Sequence, residues 1–428
     1  MSKKLFRIAA ISGFLVIMLP MIAACAPAAT AAPTVPPAPA ATTAPVAAPT
    51  TAPTAMPPAA APTAMATTAA AAPTTAAAAP TTAAAAPSGP APTGKIAILL
   101  PETKTTRYEA ADLPDFKAKL TALGFDVANN MIYSNANQDA NAQQSQAEAA
   151  LTNGAKVLVL DPVDSAAAAK VADDAKAANV PVIAYDRLIT GSAGVGYYIS
   201  FDNVKVGQLQ AQALIDALTK AGVTKPTIVM INGSPTDNNA KLFKQGAHSV
   251  FDPLVAAGNL TIAKEYDTPD WSPDQAHTEM TQALTALNNK VDGVYCANDG
   301  TASGAVAAMK AAGMKDPLPP VTGQDAQVDG IQRILVGEQY MTVYKAIKPE
   351  AEAAATLAYD LDAGMTPPAN MVTGKTNNGN YDVPSILLAP VAVTKDNIET
   401  TVVADGFDTA AQICTADFAS ACTAAGIK

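Results

Sequence analysis

From Lys95 onward, short apolar runs alternate with longer segments whose apolar positions recur at helical spacing. The runs Ile96 to Leu100, Val157 to Leu160, Val182 to Tyr185, Ile228 to Ile231, Val291 to Cys296 and Met341 to Tyr344 read as strands. Between them, Asn141 to Thr152, Ser165 to Ala178, Val204 to Ala221, Ser272 to Leu287 and Thr301 to Ala312 read as amphipathic helices. Ser272-Pro273 suits an N-cap followed by the first helical position, and Gly222 and Gly313 suit C-terminal caps. Strands alternating with helices predict an α/β fold, a parallel sheet wrapped by helices. About 330 residues are enough for two lobes, each with its own core.

Polar residues punctuate one end of these strands. Asp161-Pro162, Asp186-Arg187, Asn232-Gly233-Ser234, Asn298-Asp299 and Asp325 each follow an apolar run. In open parallel sheets ligands bind at the carboxyl ends of the strands, where loops leave a rigid scaffold. Asp and Asn also cap helices and make turns, so each instance alone is weak. Their shared position at one strand end is what points to a site.

The pattern changes before Lys95. Lys3, Lys4 and Arg7 precede an apolar stretch from Ile8 to Ile22, the layout of an export signal over residues 1–24. That stretch of about 15 residues contains Pro20 and is short of the roughly 20 that a spanning helix needs. Ile22-Ala23-Ala24-Cys25 resembles the lipobox of bacterial lipoproteins, in which the cysteine is acylated, so Cys25 is the expected membrane anchor. Residues 25–94 are almost entirely Ala, Pro and Thr, without the large side chains that offset the entropy of folding. We read them as a tether; at about 3.1 Å per residue in polyproline geometry it reaches on the order of 100 to 200 Å.

Charge and composition exclude several function classes. Removing Lys3, Lys4 and Arg7 with the leader leaves 24 Lys and Arg against 37 Asp and Glu, a formal charge of −13. A surface that acidic argues against nucleic-acid or anionic-membrane binding, which need clustered Lys and Arg. His248 and His277 fall in helix-like segments, no metal-ligand spacing occurs, and neither a P-loop nor a G-x-G-x-x-G turn follows the first strand. A nucleophilic triad cannot be assembled, so neither an enzyme, a metal site nor a cofactor is expected. Cys296, inside an apolar run, reads as a buried small hydrophobe. Cys414 and Cys422 are close enough to form a disulfide in an oxidising compartment, and a pair so close can equally stay reduced.

The strand-end loops mix carboxylates that accept, Arg and Lys that donate, and amides that do both. That mixture, with a flat aromatic face, is what the hydroxyls and C–H surface of a neutral monosaccharide require. The segments Ala184-Tyr185-Asp186-Arg187-Leu188-Ile189, Tyr198-Ile199-Ser200-Phe201-Asp202-Asn203 and Gly233-Ser234-Pro235-Thr236-Asp237-Asn238-Asn239-Ala240-Lys241-Leu242-Phe243 carry a resemblance. With Asn298-Asp299, Gly323-Gln324-Asp325-Ala326 and Met341-Thr342-Val343-Tyr344-Lys345, the chain from about Lys95 to Phe407 resembles the bacterial D-xylose-binding proteins of ABC importers.

That resemblance implies a type I periplasmic-binding-protein fold: two doubly wound parallel-sheet lobes joined by a three-crossing hinge, with sugar held between them. The crossings are expected near Phe201-Asp202, Lys345-Ala346 and Pro390, giving an N-terminal lobe of 95–201 and 346–390 and a C-terminal lobe of 202–345 and 391–428. It implies that Arg107, Tyr108, Asp186 and Arg187 reach the sugar from the first lobe. Asp237, Asn239, Trp271, Asn298, Asp325 and Lys345 reach it from the second lobe or the hinge. Trp271, the single tryptophan, precedes a helix start as though held on a loop for stacking. One loop departs from the family: Tyr108 stands where the family carries Trp, and Glu109 to Pro114 is one residue longer, which leaves the placement of Asp112 open. The expected partners are a monosaccharide, an ABC permease and, through Cys25, the membrane; the expected state is a monomer outside the cytoplasm. A sensory module presenting sugar to a receptor or kinase is the alternative. A sugar-responsive repressor with the same lobes would need a DNA-binding helical domain where the leader and tether stand.

Overall fold

The computed structural model describes residues 90–428 apart from residue 369. The leader, Cys25 and most of the tether predicted above lie outside the described residues. The strands are β1 (Lys95–Leu100), β2 (Met131–Asn135), β3 (Ala155–Leu160), β4 (Val182–Tyr185), β5 (Val195–Phe201), β6 (Thr227–Asn232), β7 (Thr261–Asp267), β8 (Gly293–Cys296), β9 (Met341–Tyr344), β10 (Gly374–Asn377), β11 (Asp382–Leu388) and β12 (Val391–Thr394).

A first sheet has the order β2-β1-β3-β4-β5-β11-β10, parallel except for the β10–β11 hairpin. A second has β7-β6-β8 in parallel. It continues through a bridge from Val294 to Val321 into residues 321–325, which bond to β9 through Val343 N to Gly323 O (3.0 Å) and Asp325 N to Val343 O (2.9 Å). β12 closes the far side, antiparallel to β9.

Alternation along each strand assigns its side chains to two helical layers. Ile96, Ile98 and Leu100 pack with Phe116, Leu120 and the alanines of helix Ile347–Asp362. Ala97 and Leu99 face the other way, onto Ala147, Ala150, Val171 and Ala175. In the second sheet Ile228 and Met230 meet Leu214, Phe243 and Phe251, whereas Val229 and Ile231 meet Met280, Leu284 and Met309. Strands covered on both faces need near-continuous apolar runs, which is why β1, β3, β4, β6 and β8 are visible in the sequence. β2 and β7 are edge strands with half-exposed residues, and β11 is disguised by Pro384, a residue that argues against an inner strand.

The chain passes between the sheets three times. After β5, Asp202 caps helix Asn203–Lys220, which packs on the second sheet. After β9, helix Ile347–Asp362 returns to the first; after β11, β12 rejoins the second. These crossings bring the carboxyl ends of β1, β3 and β4 opposite those of β6 and β8. At the C-terminus Cys414 and Cys422 are disulfide-bonded, and Ile413, Cys422 and Ile427 pack against Ile331, Ile334 and Tyr344. Cys296 is a free, buried thiol.

Candidate functional site

The first wall of the gap is built where β4 ends. Asp186 takes a left-handed backbone (φ 52°), unusual for a residue with a side chain and found where surrounding structure enforces it. Its N–H continues the ladder to Ile199 O (2.8 Å), and its carbonyl accepts from Ser200 Oγ (2.6 Å), Asn239 Nδ2 (3.0 Å) and Tyr198 Oη (3.2 Å). The carboxylate is thereby aimed into the gap. It accepts from Tyr108 Oη (2.8 Å) and lies 3.5 Å from Arg107 Nη1 and 3.8 Å from Lys345 Nζ. Burial pushes its carboxyl up, but Arg107, Lys345 and Arg187 outweigh that and hold it well below the usual carboxylate range.

Arg187 points along the same wall. Its Nε is 3.1 Å from Asp237 Oδ2 and 3.6 Å from Asp161 Oδ1, its Nη2 is 3.6 Å from Glu102 Oε1, and its guanidinium lies 5.6 Å from the Tyr108 ring centre. Arg107 sits behind the wall, donating to Asp112 from Nε (3.0 Å) and Nη2 (2.7 Å), and to Glu350 from Nη2 (2.8 Å). Asp112 also accepts from Tyr185 Oη (2.5 Å). Burial pushes Glu350 and Asp161 well above the ordinary carboxylate range, against the opposing pull of Arg107 and Arg187 respectively. Tyr108–Asp112 form a π-helical turn, closed by Leu113 N to Tyr108 O. Single π-helical turns of this kind recur at functional sites.

The second wall is made of helix starts. Asp237 caps helix Asn238–Ala256 through Oδ1, which accepts from Asn239 N (2.8 Å), leaving Oδ2 for Arg187 and for Trp271 Nε1 (3.1 Å). Asn298 caps helix Asp299–Ala311 in a reciprocal box with Thr301. Trp271 (φ 53°) stands edge-on to Phe243 at 6.3 Å, and its ring lies against Gly233, where a Cβ would come within 2.0 Å of it. Asp325 (φ 91°) ion-pairs with Lys345 at 3.2 Å. The loop carrying Asp325 is tied to buried Asp299, whose carboxylate accepts from Gln327 N (2.9 Å), Gln339 Nε2 (2.7 Å) and Thr342 Oγ1 (3.1 Å).

Between the walls lies a narrow polar gap. Of the sequence-predicted site residues, Tyr108, Asp186, Arg187, Asp237, Asn239, Trp271, Asn298, Asp325 and Lys345 line it. Arg107 does not: its guanidinium is engaged by Asp112, Glu350 and Asp186, so it orients Asp186 from behind. Asp112 takes the same rear position. Thr105, Phe243 and Gln324 also line the cavity, outside the set expected from the sequence. Gln324 adjoins Asp325 at a strand-end loop and was findable; Phe243 lies inside a helix and carries no such signal. The Oε1 atom of Gln324 is buried without a partner.

The cavity therefore offers acceptors, donors and an aromatic face within one enclosure. His248 lies away from it, with Asp252 and Glu265. Among the described residues no cluster of His, Cys, Asp or Glu is placed to hold a metal ion, and no helix is long and apolar enough to cross a membrane.

Residues 96–365 match a family model described as a periplasmic binding protein domain. The D-xylose-binding periplasmic protein of Escherichia coli (strain K12) is 40% identical over 313 residues, 73% of this chain and 90% of that relative. The protein of the same description from Haemophilus influenzae is 39% identical over 315 residues, 74% of this chain and 90% of the relative. Among solved structures, an ABC transporter solute binding protein from Clostridium phytofermentans with bound β-D-glucose is 30% identical, with a TM-score of 0.69 over 74% of this chain and 99% of that one. A carbohydrate transporter solute binding protein from Chloroflexus aurantiacus in complex with D-glucose is 31% identical, with a TM-score of 0.67 over 74% of this chain and 97% of that one.

Proposed function

The chain belongs to the periplasmic binding protein family, and on that premise we propose that it binds a monosaccharide outside the cytoplasm, D-xylose before other aldoses, and delivers it to an ABC importer. The observation that carries this reading is the convergence of strand-end residues from both sheets on one polar cavity floored by Trp271. Each hydroxyl of a pyranose donates and accepts, so carboxylates and cations alternating around one space match it better than they match an apolar or a charged ligand. Hydrogen bonds to charged groups contribute about 1.5–3 kcal/mol each when both partners are satisfied. The choice of xylose rests on the two relatives named for that sugar; the glucose-bound structures are more distant.

Binding is coupled to closure. Arg187 with Asp237, and Asn239 with the Asp186 backbone carbonyl, join groups carried by opposite sheets. A sugar that touches both walls binds the closed arrangement better than an open one and shifts the population towards it. The lobes that move are 95–201 with 346–390, and 202–345 with 391–428. The closed surface is what the permease reads. In the same proposal Cys25 is acylated, residues 26–94 tether the monomeric binding unit to the membrane, and Arg107 supports the pocket without touching the sugar.

Thermal-shift and calorimetric titration with xylose, arabinose, ribose, glucose, galactose and fucose test the reading. Xylose is expected to give the largest rise in unfolding temperature, since ligand that binds only the native state stabilises it by mass action. Absence of binding across the panel overturns the sugar assignment. Loss of membrane association in a Cys25→Ala chain tests the anchor separately.

A further inference from the structure

Arg187 is one cation among three carboxylates, Glu102, Asp161 and Asp237, and none of the four residues is more than 2% exposed. Two of the carboxylates are supplied with donors. Asp237 accepts from Asn239 N (2.8 Å) and Trp271 Nε1 (3.1 Å) and lies 3.1 Å from Arg187 Nε. Glu102 accepts from Thr105 N (3.0 Å) and Lys104 N. Asp161 is different: both of its carboxylate oxygens are buried, and among the described residues no hydrogen-bond partner reaches either one. Arg187 Nε stands 3.6 Å away and is nearer to Asp237. A carboxylate without donors, in a cluster already short of positive charge, stays ionised only at high cost.

The cover over Asp161 comes from the opposite sheet. Residues 161–165 follow β3 and are closed over by residues 236–238, which follow β6. Ser165 N donates to Thr236 O (3.0 Å), Asn238 N to Ser165 Oγ (3.0 Å) and Thr236 Oγ1 to Val163 O (3.3 Å). Asp237, in the middle of the covering segment, adds a further negative charge. Separating the sheets admits water to Asp161 and withdraws Asp237, so the pressure on Asp161 to become neutral exists only when the walls meet.

We propose that the closed protein binds a proton together with the sugar, on the Asp161 carboxyl, and this rests on the sugar-binding and closure reading above. On closure one O–H bond forms at an Asp161 oxygen, the proton is drawn from solvent or buffer, and no electron moves. The sugar is neutral and brings no compensating charge, so the proton offsets the excess of carboxylates around Arg187. Burial drives the uptake first of all; Asp186, at the end of β4, and Asp237 add to it, while Arg187 and Arg107 oppose it. Tyr108, which also faces Asp161, stays a neutral phenol because burial raises it. A carboxyl raised by closure contributes fully below its open-state value, about 4 for an ordinary Asp, and the contribution is lost as pH rises through the closed-state value. Affinity is therefore highest in acid and declines with rising pH, by at most about tenfold per pH unit.

Calorimetric titration of the full chain with xylose at pH 6, in buffers of different ionisation enthalpy, counts the protons. Uptake approaching one proton per sugar is expected, and the xylose Kd should rise at least tenfold between pH 5 and pH 7. In Asp161→Asn, which keeps the shape and cannot ionise, uptake should vanish and Kd should change less than threefold over the same range. Difference infrared spectra give a check that does not depend on affinity: xylose should raise a neutral carboxylic acid band in the unmodified chain and not in the variant. Xylose binding without proton uptake by the unmodified chain overturns the proposal, whatever the variant does. Undiminished uptake in Asp161→Asn overturns the assignment to Asp161. Failure of xylose and every other monosaccharide to bind removes the parent reading and this one with it.

Discussion

The two walls of the cleft hold their candidate site residues by different physics. On the first, Asp186 and Arg187 are fixed by other charges: Arg107 meets Asp112, Glu350 and Asp186, and Arg187 meets Asp237, Asp161 and Glu102, all buried. On the second, Asp237 and Asn298 are fixed as helix caps, Trp271 by shape against Gly233, and the Asp325 loop by neutral donors to Asp299. Buried charges are costly singly and tolerable together, so the first wall fails as a unit when one member is lost. Caps and packing contacts are nearly independent, so the second wall fails piecemeal.

The largest effect is expected on the charged wall. Arg107→Ala leaves Asp112 and Glu350 buried without their cation and should cost about 4 kcal/mol, read as a fall in the urea midpoint. A loss under about 1 kcal/mol would show that water or protons replace the guanidinium at little cost. Next comes the packed wall: Gly233→Ala puts a methyl into the Trp271 ring and should weaken sugar binding about tenfold, close to 1.4 kcal/mol. Stability should change less than affinity. Because Trp271 is the single tryptophan, its fluorescence reports directly whether the ring has moved.

The last effect is a slope, spread over several pH units rather than read at one. Burial raises the Asp299 carboxyl from 3.8 to about 7, against the opposing influence of Arg333 and Gln339. A folded-state value above the unfolded one means that its contribution is complete below about pH 4 and is lost as pH rises through about 7. Asp299→Asn should flatten that decline, by at most about 1.4 kcal/mol per pH unit. Denaturation midpoints at pH 4, 5.5 and 7 for both proteins measure it; parallel profiles would show that Asp299 keeps an ordinary carboxylate value.

The comparison also explains what was readable. Inner strands, cap residues and strand-end loops are local features, so β4, Asp237, Asn298 and the Asp186-Arg187 pair could be picked from pattern and resemblance. Edge strands β2 and β7 could not, because half-exposed positions carry no distinctive periodicity. The partners of Arg107 were equally invisible: Glu350 lies 243 residues away and the Asp186 carboxylate 79. An arginine before an aromatic in a ligand loop reads as a sugar contact, and only the approach of helix Ile347–Asp362 shows its guanidinium held by Glu350 outside the cavity lining.

Alone, the residue order determined the α/β alternation, the end of the strands that carries the chemistry, and the kind of hydrogen-bonding groups gathered there, because propensity, capping and amphipathicity act within a few residues. Tertiary structure decided which charges neutralise one another and which carboxylates face the cavity. Those outcomes depend on contacts between distant segments and on exclusion of water, neither of which local pattern encodes.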